Sequence, residues 1–391
     1  MSLKARTDLS PKSVCFVVSS PLTLKFFFVD QIAALSEIYD FACVANCDDQ
    51  AWLQERGIVV PLFKVRIERG PSLRHDLSAL WVLYRFFRSR RFDVVHSNTP
   101  KAGLLAMSAA ALAKIPVRIH TFTGQPWANR TGVWRSVLKL CDKLTAALAT
   151  HILIDSESQR LFLMREGVVK GSNSTVLGHG SVSGVDIARF SPNYRLSAEI
   201  RKKYDVSDAC VVFIYLGRLK RDKGILDLVN AFSQLANLDE SVRLFIVGPD
   251  EDHLESEIRE ACSACTSRVT ISGYTDEPES WLAASDVLCL PSYCEGFGST
   301  IIEAAAVGIP ALGSRIYGIT DAIEEGVTGF LHEPRDVNDI VGKMRIFAAD
   351  PELRGKFGNA ARDRAIRYFA KEKLTAAVVG FYKRTLDVTP S

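Results

Sequence analysis

Short runs of β-branched and aliphatic residues alternate with segments of helical periodicity along the whole of this 391-residue chain. That alternation restricts the fold to an α/β architecture with parallel sheets, because parallel strands need a crossover, usually a helix, between them. In the first half, strands are predicted at 13–19, 41–45, 59–62, 94–96, 118–122 and 151–155, with helices at 28–38, 76–90, 102–113 and 134–149. A turn-rich junction at 178–186 and around Pro192 separates these from a second series. There the strands fall at 210–216, 242–247, 269–272, 287–290, 311–313 and 330–332. The helices fall at 225–235, 254–265, 278–284, 300–307, 319–325 and 337–349, and 353–386 reads as helical with a break near 368–371. The length suits two domains at roughly 100–200 residues each. No short repeat is present; the repetition is of one α/β unit by another.

Composition removes whole classes of function. Hydrophobic residues make up 47% and charged residues 24%, a globular balance that excludes a disordered or collagen-like chain. No run approaches the ~20 apolar residues of a membrane span. The apolar run 14–19 follows Lys4, Arg6 and Lys12, as in a signal peptide, but Ser19-Ser20-Pro21 and Lys25 break it and no clean cleavage pattern follows. It reads as the first buried strand, so the chain is expected to stay in the cytoplasm. The nine cysteines are an odd number and several lie in apolar runs. Cys262-x-x-Cys265 has no second pair or nearby His to complete a zinc site, so free thiols are expected. The net charge of +3 conceals an asymmetry: residues 1–185 carry 23 Lys+Arg against 14 Asp+Glu, and residues 186–391 carry 25 against 31. The balances are +9 and −6, which points to an anionic partner for the first half.

Open α/β sheets bind ligands beyond the carboxyl ends of their strands, so the chemistry is sought in the loops that follow strands. The segment 291–310, PSYCEGFGSTIIEAAAVGIP, leaves a buried strand through Glu295-Gly296-Phe297-Gly298 and enters a helix near Ser299 or Thr300. Glycines allow close approach of a ligand, and a helix N-terminus offers free N–H groups to a phosphate. Glu303 lies inside the helix and could accept from ribose hydroxyls; the plainer reading makes Glu295 a loop charge and Glu303 a solvated first-turn residue. A second segment, Gly217-Arg218-Leu219-Lys220-Arg221-Asp222-Lys223-Gly224, sets four cations in six residues directly after a strand. Arg218 and Lys223 could neutralise a diphosphate there, against the alternative of a merely solvated basic loop. A third, His120-Thr121-Phe122-Thr123-Gly124-Gln125, places a His at a strand end; His96 is assigned a structural role and His179 a hinge turn.

Taken together, the 217–224 string, the Glu295/Glu303 pair with its internal Gly-Phe-Gly, and the Gly308-Ile309-Pro310 exit resemble glycosyltransferase family 4. The segment 178–190 (GHGSVSGVDIARF) resembles that family's interdomain stretch. The stretch 96–124 is similar to members that build bacterial O-antigen, capsule or exopolysaccharide on a lipid carrier. The resemblance implies an α/β GT-B fold, two Rossmann-like domains facing an interdomain cleft, with a C-terminal helix crossing back to the N-terminal domain. Its boundaries would be 1–185 for an acceptor domain, 186–365 for a donor domain and 366–391 for the returning helical segment. It implies retaining transfer from a nucleotide-diphosphate sugar, a UDP-sugar first among them, to a lipid-linked saccharide. Carried over by residue, Arg218 and Lys223 would hold the donor diphosphate, Glu295 the donor sugar and Glu303 the ribose. Gly217, Gly296, Phe297, Gly298, Ser299 and Thr300 would complete the donor site, the last three through backbone N–H groups, and His120 would lie near the reacting sugar. The chain departs from the family at 19–23, where Ser-Ser-Pro-Leu-Thr replaces a Gly-Gly loop.

No cofactor, metal or nucleic acid is expected; the expectation of no obligatory divalent metal rests on finding no Asp-x-Asp triplet in a strand-end loop. The segments 79–91 (ALWVLYRFFRSRR) and 134–140 (WRSVLKL) are apolar and basic, as in helices that lie on anionic lipid. The protein is therefore expected on the inner face of the cytoplasmic membrane, unless those faces pack on the sheet. A nucleotide-sugar epimerase and a non-catalytic sugar-nucleotide-binding protein are the alternative readings. A glycosidase is rejected, since its two carboxylates should flank one bond.

Overall fold

The computed structural model describes residues 11–387 apart from 48, 50, 69 and 71; Lys4 and Arg6 lie outside the described residues. The chain forms two compact units. One comprises residues 1–155, 159–177 and 374–391, the other 156–158 and 178–373.

The first unit holds a seven-stranded parallel sheet built from β1 (Ser13–Val17), β2 (Asp40–Ala45), β3 (Leu62–Lys64), β4 (Val94–Asn98), β5 (Val117–Phe122), β6 (His151–Ile154) and β7 (Ser174–Val176). Its order is β3-β2-β1-β4-β5-β6-β7. The helices Leu73–Arg90, Pro100–Leu112 and Gly132–Leu148 pack side by side. Their inner residues, among them Ala79, Leu83, Phe87 and Ala106, join Cys15, Val17 and Val95 in one core. The last helix, Lys371–Asp387, contributes Tyr382, which is buried and whose hydroxyl lies 2.6 Å from His96 Nδ1.

The second unit holds a six-stranded parallel sheet: β8 (Val211–Leu216), β9 (Val242–Val247), β10 (Val269–Ser272), β11 (Val287–Leu290), β12 (Ala311–Ser314) and β13 (Gly329–His332), in the order β10-β9-β8-β11-β12-β13. The sequence of β8, VVFIYL, is apolar at every position because both faces are covered. Val212, Ile214 and Leu216 enter one core and Val211, Phe213 and Tyr215 the other.

Most predicted elements are present, with the following differences. The strand placed at 59–62 is Leu62–Lys64, and β7 together with the helices Glu157–Arg165 and Tyr194–Lys203 went unpredicted. The single helix read at 254–265 is Glu255–Ala261 followed by a 3₁₀ segment Ser263–Arg268, broken by the non-helical backbone of Cys265. The terminal break is real: Pro351–Arg364 runs through a π turn, Ala365–Phe369, before Ala370 leaves helical geometry and the last helix begins.

Candidate functional site

The order of the second sheet reverses between β8 and β11, which are direct neighbours. In an open α/β sheet a crevice opens beyond the strand ends at such a point. Two loops leave it there, and both are the loops singled out by sequence.

After β8, the Gly217 N–H donates to the Val247 carbonyl and the Leu219 N–H to the Pro249 carbonyl, each at 2.9 Å, extending the pairing with β9 past the strand. Tyr215, fully buried, donates its hydroxyl to the Arg218 carbonyl at 2.6 Å from beneath. Arg221–Lys223 then makes one 3₁₀ turn, and Gly224 takes φ +67° before the helix Ile225–Ala236. A Cβ at Gly224 would lie 2.0 Å from the Pro291 carbonyl oxygen. Only glycine allows this turn to sit against the start of the second loop.

The second loop is tied to the first, and to the helix that follows it, at three points. The Tyr293 N–H donates to the Asp222 carbonyl (2.9 Å), the Tyr293 hydroxyl to Asp227 Oδ2 (2.6 Å), and Lys223 Nζ to Glu295 Oε1 (2.6 Å). Arg335 lies over the Tyr293 ring at 4.7 Å, and Ser292 Oγ donates to the same Glu295 oxygen at 2.9 Å. Lys223 and Glu295 are each only 17% exposed, so their attraction is poorly screened. Gly298, at φ +82°, caps the helix Ser299–Val307, whose first turn has no side-chain cap. Its leading N–H groups and dipole make an anion-binding end. The Phe297 side chain is buried against Phe369, 5.2 Å between ring centres, which leaves its backbone to face the loop. Glu303, one turn into the helix, is largely enclosed. Burial pushes its carboxyl up to about 7; Arg189 pulls it down and Glu279 pushes it further up.

The four cations of the basic loop are not merely solvated. Arg218 pairs with Glu251 at 3.0 Å, Lys220 lies 3.9 Å from the same carboxylate, Arg221 pairs with Glu257, and Lys223 holds Glu295. Asp250-Glu251-Asp252 is an Asp-x-Asp triplet directly after β9, which corrects the premise on which no metal was expected. Asp250 accepts from the Leu254 and Glu255 N–H groups (2.9 and 3.0 Å), and Asp252 accepts from the Arg221 N–H (3.0 Å). The carboxylates of Asp250 and Asp252 thus serve backbone donors, and that of Glu251 serves the basic loop.

His120 lies in the first unit, on β5. It is buried, its Nδ1 lies 2.9 Å from Ser97 Oγ, and its ring meets Phe122 edge-on. His96 uses both ring nitrogens, toward the Tyr382 hydroxyl and Thr121 Oγ1 (2.7 Å). Burial drives both imidazoles down to about 3, so both are neutral. The first sheet reverses between β1 and β4, where Ser19 Oγ lies 3.1 Å from Thr99 Oγ1 and Thr99 adopts φ +74°.

Sequence reading missed Tyr215, Asp227, Tyr293 and Glu251. Tyr215 reads as one more apolar strand position. Glu251 had a usable signal, an acidic run after one strand matching a basic run after its neighbour. The assembled site, two cations and an uncapped helix N-terminus at a sheet reversal, is chemically suited to a polyvalent oxyanion and to stabilising charge that develops on it.

Two family models match the chain, a glycosyl transferase 4-like domain over residues 29–178 and glycosyl transferases group 1 over 197–364. The capsular polysaccharide biosynthesis glycosyltransferase CapM of Staphylococcus aureus is 29% identical over 326 residues, covering 82% of this chain and 84% of that protein. The Escherichia coli UDP-Gal:α-D-GlcNAc-diphosphoundecaprenol α-1,3-galactosyltransferase is 27% identical over 283 residues, covering 71% of each. Among solved structures, HepE of Anabaena in complex with UDP superposes with a TM-score of 0.79 at 18% identity, over 95% of this chain and 100% of that one.

Proposed function

The chain belongs to the family 4 glycosyltransferases of GT-B fold, and from that premise we propose that it moves a sugar, with retention, from a nucleotide-diphosphate sugar to a lipid-linked saccharide in bacterial surface polysaccharide synthesis. The observation that carries the reading is the junction of the two loops at the β8/β11 reversal, where Lys223 of the first loop pairs with Glu295 just ahead of the Ser299 helix end, and Arg218 leaves the same β8 loop. A UDP-sugar is the first donor to test, since HepE is solved with UDP and the Escherichia coli relative uses UDP-Gal. The acceptor class is taken from that relative's diphosphoundecaprenol substrate.

In this reading Arg218 and Lys223 take the diphosphate. Backbone N–H groups of Gly298, Ser299 and Thr300 meet phosphate or sugar oxygens, with Gly217 and Gly296 giving the backbone room. Glu295, held by Lys223 and Ser292, orients the donor sugar, and Glu303 accepts from the ribose hydroxyls. Breaking the sugar–phosphate bond leaves a nucleoside diphosphate whose new charge meets cations already in position, which lowers the barrier without solvent reorganisation. Retention follows if the acceptor hydroxyl attacks from the departing side and gives its proton to the leaving phosphate. His120, neutral in the first unit, is assigned near the reacting sugar on the family resemblance. The test is a screen of UDP-, GDP- and ADP-sugars with a polyprenyl-diphosphate saccharide, following release of free nucleotide. Acceptor-dependent release with an α-linked product from an α-donor supports the reading. An epimer formed without acceptor, or binding without turnover, would replace it.

A further inference from the structure

The acidic loop after β9 lies along the basic loop after β8. Leu219 and Asp250 form a parallel bridge, and the N–H groups of Glu251 and Asp252 both donate to the Leu219 carbonyl, at 3.2 and 3.3 Å. Within the acidic triplet the work is divided. Asp250 caps the start of Glu255–Ala261, and Asp252 receives the Arg221 N–H. Glu251 turns instead to the cations, its Oε2 lying 3.0 Å from Arg218 Nη1 and 3.9 Å from Lys220 Nζ.

Two carboxylates therefore hold the two cations assigned to the diphosphate, and they do so in different surroundings. Lys223 and Glu295 are each 17% exposed, and Glu295 also accepts from Ser292; Arg218 and Glu251 are 47% and 33% exposed. An ion pair as open as the second is weak in water. A diphosphate brings more charge and can take the guanidinium through two parallel hydrogen bonds. Resting on the donor assignment above, we infer that Glu251 is a built-in counter-anion of the donor site. It competes with the incoming diphosphate for Arg218, is displaced by it, and retakes Arg218 as the nucleoside diphosphate product leaves. The device limits donor affinity, and by the same measure it limits product retention.

A purely structural role predicts the opposite sign. If Glu251 only orients Arg218, neutralising it loosens the guanidinium and weakens anion binding. If it is a counter-anion, neutralising it leaves Arg218 and Lys220 uncompensated and binding tightens. The experiment is calorimetric titration of the whole protein, wild type, E251Q, R218A and the double variant, with UDP, GDP, ADP and inorganic pyrophosphate at low and high salt. The expected result is that E251Q binds the best of these about two- to fivefold tighter at low salt, with the gain shrinking as salt screens the exposed pair. Inhibition by that nucleotide during turnover should tighten by a similar factor. R218A should weaken binding and reduce the E251Q gain. If R218A weakens binding while E251Q weakens it or leaves it unchanged, the counter-anion role is overturned and the donor assignment stands. If R218A has no effect, or none of the four probes binds, the donor assignment itself fails and this inference with it.

Discussion

Lys223 has a neighbour that makes its replacement easy to interpret. Its ammonium is the charge closest to Glu295, and Ser292 supplies that carboxylate with a second donor. If Lys223 serves the leaving diphosphate as proposed, Lys223→Ala removes a preorganised cation and turnover should fall by about 10²–10³, the scale seen when one transition-state donor is removed. The melting temperature, measured alongside nucleotide release, should fall only by a few degrees, because Ser292 still holds Glu295. Near-normal turnover would remove Lys223 from the chemistry. Glu303 gives a pH signature. Burial raises its carboxyl to about 7, so the proton is retained below that value and the charged form grows as pH rises. If the ionised carboxylate accepts from the ribose, affinity for the donor nucleotide should be nearly constant above pH 8 and fall about tenfold by pH 6. Glu303→Gln should bind more weakly at pH 8 with a flat profile from 6 to 8; an unchanged slope in the variant would assign the titration elsewhere.

At the scale of elements, the junction of the two loops depends on backbone more than on side chains. Gly224→Ala puts a methyl group 2.0 Å from the Pro291 carbonyl oxygen at a positive φ, so the turn and the strand end must separate. We expect loss of most activity and a destabilisation of more than about 2 kcal/mol, read from denaturant unfolding. The final helix is fixed differently, by a buried hydrogen bond between Tyr382 and His96. Tyr382→Phe leaves an imidazole nitrogen unpaired in the core and should cost about 1–3 kcal/mol. These contrasts explain what could be read from the chain alone. Eleven of the strands were legible in place because most are short, largely apolar runs between turn signals; Leu62–Lys64 was misplaced by its short, half-exposed run, and Ser174–Val176 is three residues long and polar at two. The loops of the site were legible because their glycines and cations have no use in a core. Pairings such as Arg218 with Glu251 and Tyr293 with Asp227 join residues 33 and 66 positions apart. They follow from strand order, which local pattern does not encode.

For the molecule as a whole, the charge asymmetry and the distribution of exposed apolar side chains coincide. Among the described residues, 17 of the 23 large apolar side chains left exposed belong to the first unit, whose half of the sequence carries +9. On the helix Leu73–Arg90, Ala79, Leu83 and Phe87 face the core, while Leu73, Leu77 and Trp81 recur every fourth residue on the outer side. Arg85 stacks on Trp81 at 4.7 Å. On Gly132–Leu148, Val133, Trp134, Val137, Leu140 and Leu144 form a second outer stripe. Both helices flank Pro100–Leu112 in one layer. No helix among the described residues is long and apolar enough to cross a membrane, but paired apolar stripes beside arginines suit a helix lying at the lipid–water interface. We propose that this layer docks on anionic lipid, where each nearby Lys or Arg adds about 1 kcal/mol. Flotation with phosphatidylglycerol vesicles should carry the wild type upward at low salt, less so at high salt, and hardly at all with phosphatidylcholine. The double variant Leu77→Glu/Trp134→Glu places a charge on each stripe without touching the buried faces, so it should stay with the unbound protein while binding nucleotide as the wild type does. If the double variant floats as well as the wild type, these stripes are not the docking face. If the wild type itself ignores anionic vesicles, the acceptor must reach the enzyme from solution.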